Sequence, residues 1–414
     1  MRILFVTPYV PSRIRVRPYY FIKSLSKFHE VSLVSLLCDE YERELTRDIS
    51  EYCSSIDLVP LSKARAYANC LRALPTLTPL RVAYYRSPAF INTIRHVIHK
   101  QQIDVVHGEL IKVVPALQSV LAQESIPCLY DSVDCISSYL EQQYSTVRHP
   151  LKRVFVFSEL QKMRRYEPRA LADFHKVTIT SAHDRNHLMA QNKDLQHVHV
   201  VSNGVDTEYF APLATSREED SLVFCAKLDY FPNAQAIQYF CREVLPLIWK
   251  QRPQVRLTIV GSNPPQAVRD LGTDERITVT GSVPDVRPYL GKAAVALAPL
   301  QVAAGMQNKV LEALAMGVPM VATPRACKSL QVKNGTHLLI ADEPQAYAEA
   351  IKLVLDDPQL AQKLSVAGRA YVEEHHSWIA NAHALSELYS SIAVKPEQQE
   401  LELYPDSSIA GPLG

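Results

Sequence analysis

Short apolar runs and longer amphipathic stretches alternate along the whole chain. The runs have the length and β-branched content of buried strands, and the stretches between them repeat apolar residues with a helical period. In the first half, the predicted strands are RILFVTP, EVSLVSLL, DVVHGE, IPCLYDS, KVTITSA and HVHVV. In the second half, they are SLVFCA, VRLTIVG, RITVTG, AVALAPL, VPMVAT and HLLIAD. This alternation predicts an α/β protein built from parallel βαβ units.

A polar link, LATSREEDS, separates the two series and predicts two doubly wound, Rossmann-like domains that face a cleft. We expect an N-terminal domain over residues 1–200 and a C-terminal domain over 201–375. The last long helical region is predicted over about 358–393, and its part over 376–393 should pack back towards the first domain. The tail over 394–414 has little apolar content to bury, which predicts disorder. Ligands of such domains bind at the carboxyl ends of the strands.

The apolar segment from 301 to 321 carries a single acid, Glu312, and a single base, Lys309, three residues apart. In a helix opened by Gly305 and closed by Gly317, both side chains would point to the same side. The spacing of the apolar residues predicts that Val310, Leu311, Leu314 and Ala315 face a core. The helix dipole repels a base in the first turn, so Lys309 indicates a nearby anion, which the free N–H groups of a helix start also attract. An ordinary surface pair of lysine and glutamate is the alternative.

Composition narrows the class of protein. The chain has 414 residues, enough for two domains, and a net charge of +1, which gives no nucleic-acid footprint. Its 8 cysteines are scattered without a CxxC pair, and no signal peptide or membrane span is evident. These features predict reduced thiols and a cytoplasmic protein.

Glycine is scarce, and Gly108 is the only one among the first 200 residues. A glycine-rich phosphate loop is therefore absent from the first half, so the second half must hold any nucleotide diphosphate. The sequence lacks GxGxxG after the first strand of either domain and lacks GxxxxGK[ST], which argues against a dehydrogenase and a P-loop NTPase. No Asp-x-Asp occurs, so a metal ion on the diphosphate is not implied.

Several motifs resemble glycosyltransferase family 4, which comprises nucleotide-sugar-dependent, retaining enzymes with the two-domain GT-B fold. In the second half, they are VVSNGVDTEYFAP, LVFCAKLDYFPN, ITVTGSVPDVRPYLGKAAVALAPL and GMQNKVLEALAMGVPMVAT. In the first half, the resemblance rests on RILFVTPY and DVVHGE. The PN after LDY and the QNKVLEA before AMG are similar to a branch associated with bacterial exopolysaccharide synthesis.

The resemblance implies roles for six residues of the second domain. Glu312 would accept hydrogen bonds from the ribose hydroxyls, as a carboxylate can accept two at once. The helix start from Gly305 to Asn308, which includes Gln307, would offer backbone N–H groups to the diphosphate. Lys309 and Lys227 would neutralise phosphate and so support catalysis. A solvated Lys309 and a Lys227 that only caps a strand end are the alternatives.

Three departures from the family pattern concern the site. Ala304 stands where the family has a first acid that touches the transferred sugar, and Pro232 stands where it has a second base. Arg13, Arg15 and Arg17 replace a Gly-Gly turn, and alternation would put all three on one side of an extended loop. We expect Arg13 to face the cleft and to act in catalysis. A solvated basic loop is the alternative.

Weaker candidates follow two strands of the first domain. His107 and Glu109 end one strand, and the family often has a histidine at the position of Glu109. Asp131 and Asp134 follow the next strand, where one of them would orient a sugar or acceptor hydroxyl. For all four residues, local capping is favoured over catalysis.

Residues 148–171 mix apolar residues with seven lysines and arginines. A basic amphipathic helix of this kind can rest on the inner face of an anionic membrane, where lipid-linked acceptors are found. The favoured alternative is a helix packed on its own domain with a solvated basic face.

Together, these features predict a metal-independent glycosyltransferase without a cofactor. It would move a sugar from a nucleotide diphosphate sugar to a glycan or lipid-linked acceptor, with retention implied by the resemblance. Two rivals stay open. One is a non-catalytic nucleotide-sugar-binding or partner protein, favoured by Ala304 and Pro232, and the other is a nucleotide-sugar epimerase with acid and base carboxylates in the cleft.

Overall fold

The computed structural model describes residues 1–13, 15–147, 149–192, 195, 197–303 and 305–393. It contains two parallel sheets, and each is flanked by helices. The two doubly wound domains predicted from the sequence are therefore confirmed. The predicted tail, Ala304 and Arg148 lie outside the described residues.

The first sheet has seven parallel strands in the order β3-β2-β1-β4-β5-β6-β7. The strands are β1 (Arg2–Thr7), β2 (Glu30–Leu37), β3 (Ser55–Pro60), β4 (Val105–Glu109), β5 (Cys128–Val133), β6 (Lys176–Ile179) and β7 (Val198–Val200). Alternate residues of β1 face opposite cores, since Leu4 and Val6 join one apolar cluster while Ile3 and Phe5 join another. Burial on both faces explains why the strands are continuously apolar.

Nine helices within the described part of residues 1–200 cover this sheet. They are α1 (Val16–Leu25), α2 (Thr46–Ile49), α3 (Lys63–Ala73), α4 (Leu80–Ala83), α5 (Pro88–Gln101), α6 (Val114–Leu121), α7 (Ile136–Thr146), α8 (Pro150–Leu171) and α9 (Ala182–Gln191).

The second sheet has six parallel strands in the order β10-β9-β8-β11-β12-β13. The strands are β8 (Glu218–Cys225), β9 (Arg256–Val260), β10 (Ile277–Gly281), β11 (Ala293–Ala298), β12 (Met320–Ala322) and β13 (Leu339–Ile340). In both sheets the strand order reverses beside the first strand, which places a ligand crevice at that point.

The helices after residue 200 follow the same βα pattern. They are α10 (Phe231–Tyr239), α11 (Leu245–Trp249), α12 (Gln266–Arg269), α13 (Arg287–Lys292), α14 (Asn308–Ala315), α15 (Pro324–Cys327), α16 (Pro344–Asp356), α17 (Pro358–His375) and α18 (Trp378–Ala393). A π-helical stretch, Phe240–Val244, joins α10 to α11.

The last helix returns to the first domain. Trp378, Leu385 and Tyr389 of α18 share an apolar cluster with Ile3 and Phe5 of β1. The end of the chain is thereby fixed to the sheet that contains its beginning.

Every strand predicted from the sequence is present, but β3 was missed. This edge strand is only half-buried along most of its length, and its last residue is Pro60. It therefore lacks the continuous apolar pattern that identified the inner strands. The helical region predicted over about 358–393 is divided into α17 and α18 at His376 and Ser377.

Candidate functional site

A cavity of about 460 Å³ lies between the carboxyl ends of the two sheets. The first domain lines it with Tyr9, Arg15, Glu109 and Asp134, and the second domain lines it with Lys227, Met306 and Asn308. A smaller space of about 20 Å³ adjoins it at Asn308 and also contacts Arg13 and Glu312. The crevice expected from strand order is therefore lined by most of the residues singled out in the sequence.

Helix α14 begins at this cavity. Gly305 has a φ of +56°, and an added Cβ would lie 1.7 Å from Oδ1 of Asp134. Only glycine accommodates both this backbone conformation and the close approach of the other domain. The Ser329 hydroxyl donates to the Gly305 carbonyl at 2.8 Å, and Gln307 precedes the first helical residue, Asn308.

The apolar face of α14 is as the sequence predicts, because Val310, Leu311, Leu314 and Ala315 are buried. The pair of Lys309 and Glu312 on its polar face is not an ordinary exposed pair. Lys309 and Glu312 are both half-buried, and burial shifts both of their pKa values.

Asn233 holds the Lys309 side chain in place. The Lys309 ammonium donates to Oδ1 of Asn233 at 2.8 Å and to Oε1 of Gln307 at 3.2 Å. The amide of Asn233 in turn donates to the Lys227 carbonyl oxygen at 2.8 Å. Burial lowers the pKa of Lys309 to about 8, and the charge of Glu312 opposes this shift. Lys309 is therefore a positioned base with a low cost of deprotonation.

Glu312 lies one turn further along α14. Burial raises the pKa of its carboxyl group to about 7, and Lys309 opposes the shift. The space beside it, about 20 Å³, holds about one water molecule and is too small for a ribose. Arg13 is exposed at the rim of this space. A nucleoside can therefore reach Glu312 only when side chains at the rim move.

Lys227 is more accessible than Lys309. Its side chain is 57% exposed, lines the larger cavity and lies 3.7 Å from the Asp229 carboxylate. Pro232, at the position of the second base in the family pattern, lies buried in the first turn of α10. This turn therefore supplies the amide of Asn233 in place of a second positive charge.

The prediction that three arginines lie on one side of an extended loop is wrong, because α1 begins at Val16. Arg15 pairs with Glu42 and stacks on the Tyr9 ring at 4.4 Å. Arg17 is in α1, buried with only 4% of its side chain exposed. The helical turn between them sends the side chains in different directions.

Arg17 forms a buried ion pair with Asp131. Its guanidinium donates to both carboxylate oxygens, at 2.6 and 3.1 Å, and also donates to Oδ1 of Asn203 at 2.9 Å. The Asn203 amide donates to Oδ1 of Asn308 at 3.0 Å. A chain of hydrogen bonds therefore runs from β5 of the first domain to the first residue of α14.

The other carboxyl groups of the first domain have separate surroundings. Glu109 is buried at the cavity, and one of its oxygens has no hydrogen-bond partner within the described part of the chain. Burial raises the pKa of Glu109 and, together with nearby Asp184, raises that of Asp134 to about 7. Of the local capping roles expected here, that of Asp131 is observed, because its carboxylate accepts from the Val133 N–H at 3.2 Å.

His107 points away from the cavity lining. Its Nδ1 lies 2.8 Å from the Tyr389 hydroxyl of α18, and burial lowers its pKa to about 4. A neutral His107 therefore helps to attach α18 to the first sheet.

Sequence reasoning missed the two asparagines that connect these groups. Asn203 was visible only as part of an Asn-Gly turn, and Asn233 only as part of a PN motif. Both side chains act across long sequence distances, with partners 105 and 76 residues away.

Two searches of the described residues bear on ligands. No group of three or more His, Cys, Asp or Glu side chains is placed to hold a metal ion among them. None of the helices described is both long enough and apolar enough to cross a bilayer.

Residues 219–357 match the family model described as Glycosyl transferases group 1. The matched region contains α14 and most of the second sheet. It therefore includes Lys227, Asn233, Lys309 and Glu312.

Two curated relatives are similar over part of the chain. A D-inositol 3-phosphate glycosyltransferase of Corynebacterium urealyticum is 36% identical over 103 residues, which is 24% of this chain and 23% of that protein. A GDP-mannose-dependent alpha-(1-6)-phosphatidylinositol monomannoside mannosyltransferase of Mycolicibacterium smegmatis is 27% identical over 242 residues, which is 53% of this chain and 63% of that protein. The matches thus span less than two thirds of either relative.

Solved structures are similar over nearly the whole chain. Sucrose-phosphate synthase of Thermosynechococcus elongatus has a TM-score of 0.70 at 17% identity and covers 94% of this chain and 99% of its own. HepE of Anabaena in complex with UDP-glucose has a TM-score of 0.69 at 13% identity and covers 94% and 100%. At these identities the likeness establishes the fold. The protein therefore has a GT-B fold, and residues 219–357 of its second half are similar to the Glycosyl transferases group 1 model.

Proposed function

We propose that this protein is a glycosyltransferase that moves a sugar from a nucleotide diphosphate sugar to a glycan or lipid-linked acceptor. The observation that carries the proposal is the start of α14 within the group 1 domain. There Lys309, positioned by Asn233, and the half-buried Glu312 lie on one side of the helix, and Asn308 and Glu312 line the smaller space between the domains.

In this proposal the second domain binds the donor. Glu312 accepts hydrogen bonds from two ribose hydroxyls, and the N–H groups from Gly305 to Asn308 bind the diphosphate. Gln307, which accepts from Lys309, keeps that ammonium close to the helix start. HepE, one of the similar structures, was solved with UDP-glucose, which supports a nucleotide sugar as the class of donor.

The proposed chemistry uses charge stabilisation of the leaving group. As the bond from the sugar to the diphosphate breaks, Lys309 and Lys227 stabilise the negative charge that develops on the phosphate oxygens. A phosphate oxygen of the leaving group then takes the proton from the acceptor hydroxyl, and the acceptor oxygen forms the new bond to the anomeric carbon on the face that the diphosphate leaves. This proposal includes retention of configuration and requires no metal ion, since the two ammonium groups supply the positive charge.

Finer assignments also belong to the proposal. Membership of glycosyltransferase family 4 and of its exopolysaccharide branch rests on the motifs of the second half. A location in the cytoplasm, at the inner face of the membrane, rests on the reduced cysteines and on the basic residues of α8.

One observation favours a second candidate. Glu109 and Asp134 are cavity-lining carboxyl groups with raised pKa values. Asp134, with its pKa raised to about 7, can exchange protons near neutral pH, and Glu109 supplies a second cavity-lining carboxyl group, as a nucleotide-sugar epimerase requires.

A panel of UDP-, GDP-, ADP- and dTDP-sugars tests the proposal in two steps. A rise in melting temperature identifies the donor, because a ligand that binds the native state stabilises it. Release of nucleoside diphosphate with transfer or hydrolysis of the sugar then supports a transferase. An epimerised sugar supports the second candidate, binding without turnover supports a non-catalytic protein, and no binding to any member contradicts the donor site.

A further inference from the structure

The first domain carries an unusual set of exposed apolar side chains. Leu151 and Val154 are 76% and 69% exposed, although long apolar side chains are normally packed inside. Eight residues share this exposure and form what we call the apolar-basic surface. They are Tyr67, Leu71, Leu74 and Leu77, in or just after α3, and Leu151, Val154, Phe155 and Phe157 in α8.

The two groups lie side by side. The Lys162 ammonium of α8 donates to the carbonyl oxygens of Ala73 and Leu74, at 3.3 and 3.2 Å. Lys162 is seven residues from Phe155, a distance of about 10 Å along the helix axis. The end of α3 therefore lies within about two helical turns of Phe155 and Phe157 and about three turns of Leu151.

Each helix presents its apolar residues on a single outward face. The spacing in α3 is four and then three residues, from Tyr67 to Leu71 to Leu74. The same spacing in α8 joins Leu151, Phe155 and the polar Ser158, so each set lies along one side of its helix. The buried side of α8 is separate and contains Val156, Leu160 and Met163. The outward face is therefore not a part of the core of the domain.

The two segments that carry this surface are rich in lysine and arginine. Residues 58–103 contain seven lysines and arginines and no aspartate or glutamate. Residues 149–171 contain six, with two acids, Glu159 and Glu167, that are buried and accept from backbone N–H groups. The local excess contrasts with a net charge of +1 for the whole protein.

The surface adjoins the seam between the domains. The Lys152 ammonium lies 4.7 Å from the ring of Phe231 at the start of α10. Tyr139 of α7 stacks on Tyr230 of the second domain with ring centres 6.3 Å apart. A partner bound to the apolar-basic surface would therefore lie close to the edge of the cleft between the domains.

We propose that the apolar-basic surface docks the protein on a lipid bilayer with anionic headgroups. The leucines and phenylalanines enter the boundary between headgroups and acyl chains, while the lysines and arginines contact lipid phosphates. The proposed surface combines α3 with α8, whereas the sequence pattern pointed to residues 148–171 alone.

Vesicle flotation tests the docking directly, and it uses the full chain without donor or acceptor, so its outcome does not depend on the proposed transferase activity. Two kinds of vesicle are compared, one of phosphatidylcholine alone and one that also contains phosphatidylglycerol. We expect flotation with the anionic vesicles and a clear loss with the neutral ones. High salt should weaken it, since salt screens exposed charges.

Two pairs of substitutions test the contributions of α3 and α8 to vesicle binding separately. Leu71→Ser with Leu74→Ser alters α3, and Leu151→Ser with Phe155→Ser alters α8. Each pair should lower the partition onto anionic vesicles roughly tenfold, because buried apolar area drives interfacial binding. The matched control is Leu353→Ser with Val366→Ser, two exposed apolar residues of α16 and α17, which should leave binding unchanged. Melting temperatures confirm that each variant is folded.

The charged residues have their own test. Lys152→Gln with Arg165→Gln should weaken binding to anionic vesicles at low salt and have little effect at high salt. Absence of flotation with anionic vesicles at low salt overturns the proposal, and so does full binding by both serine pairs. If those pairs abolish self-association in light scattering and leave vesicle binding intact, the surface is an interface between two copies instead.

Discussion

At the scale of single residues, burial sets the properties of Lys309 and Glu312. Their pKa values move towards each other, to about 8 and about 7, because each charge loses contact with water. A bound nucleotide would compensate both charges, through phosphate for the lysine and ribose hydroxyls for the glutamate. The charged forms of both side chains should therefore be more stable in a nucleotide complex than in the free protein.

Glu312→Gln should weaken nucleotide binding by about 1–3 kcal/mol, because a charged acceptor becomes a neutral amide. Calorimetry with the identified donor measures the loss. Glu349→Gln, on the exposed part of α16, serves as the control and should bind like the parent. Equal affinity for the Glu312 variant would remove that residue from the site.

Donor affinity should depend on pH with a maximum between the two pKa values, about 7 and about 8. Below this range Glu312 takes up a proton and accepts fewer hydrogen bonds. Above it Lys309 loses the charge that attracts phosphate. Titrations across this range test the profile, with Lys309→Arg expected to remove the alkaline decline and Glu312→Gln the acid decline. A flat profile for the parent would contradict the assignment.

Lys309→Ala should weaken binding of the nucleoside diphosphate far more than binding of the nucleoside, because its proposed partner is phosphate. Parallel calorimetric titrations with the two ligands give the comparison. Equal weakening of both would indicate a damaged helix start, and no effect on either would place Lys309 outside the site.

At the scale of elements, one buried network connects α1, β5 and α14. Arg17 and Asp131 have side-chain exposures of 4% and 0%, so neither charge has access to water. The pair continues through Asn203 to Asn308 at the start of α14. The first domain thus helps to fix α14, the helix of the second domain that is proposed to bind the donor.

Arg17→Met should destabilise the protein by about 3–5 kcal/mol, because it leaves the Asp131 charge buried without a partner. Denaturant unfolding measures the change. Adding Asp131→Leu to the same variant removes that charge and should restore part of the stability. If the single variant stays within about 1 kcal/mol of the parent, the pair behaves like an exposed one and the network does not fix α14.

At the scale of the whole molecule, the described structure is closed around Glu312. The space beside it is about 20 Å³, whereas the cavity on the other side of Asn308 is about 460 Å³. Arg13 of the first domain and Glu312 of the second both line the small space. Entry of a donor therefore requires movement of side chains or of the domains.

Arg13→Ala should slow sugar transfer and leave donor affinity largely intact, because the second domain binds the donor and Arg13 acts when the cleft is closed. Turnover and calorimetry on the same variant test this. A hydrogen bond to Tyr19 also raises the pKa of Arg13 and suggests a structural role. If melting temperature falls while turnover stays normal, Arg13 only stabilises its loop.

Local order was readable from the sequence to a large extent. Continuous apolar runs identified every inner strand, and the spacing of Val310, Leu311 and Leu314 identified the buried face of α14. These patterns are local, since they depend on the pitch of a helix and the alternation of a strand. The half-buried edge strand β3 and the start of α1 at Val16 escaped for the same reason, because neighbours distant in sequence decide their burial.

Sequence alone therefore determined the two-domain class and the succession of every strand except β3, while the roles of Glu312, Lys309 and Lys227 stay predictions from the resemblance. Tertiary structure decided which groups meet. Arg17 and Asp131 are 114 residues apart, and Asn203 and Asn308 are 105 apart, so their contacts depend on the order of strands in the sheet and on the packing of the two domains. Tertiary structure also placed the end of α3 beside α8, since the Lys162 ammonium donates to the carbonyl oxygen of Ala73, which lies 89 residues earlier in the chain. Such contacts form only after apolar burial has placed the elements, and no local pattern encodes them.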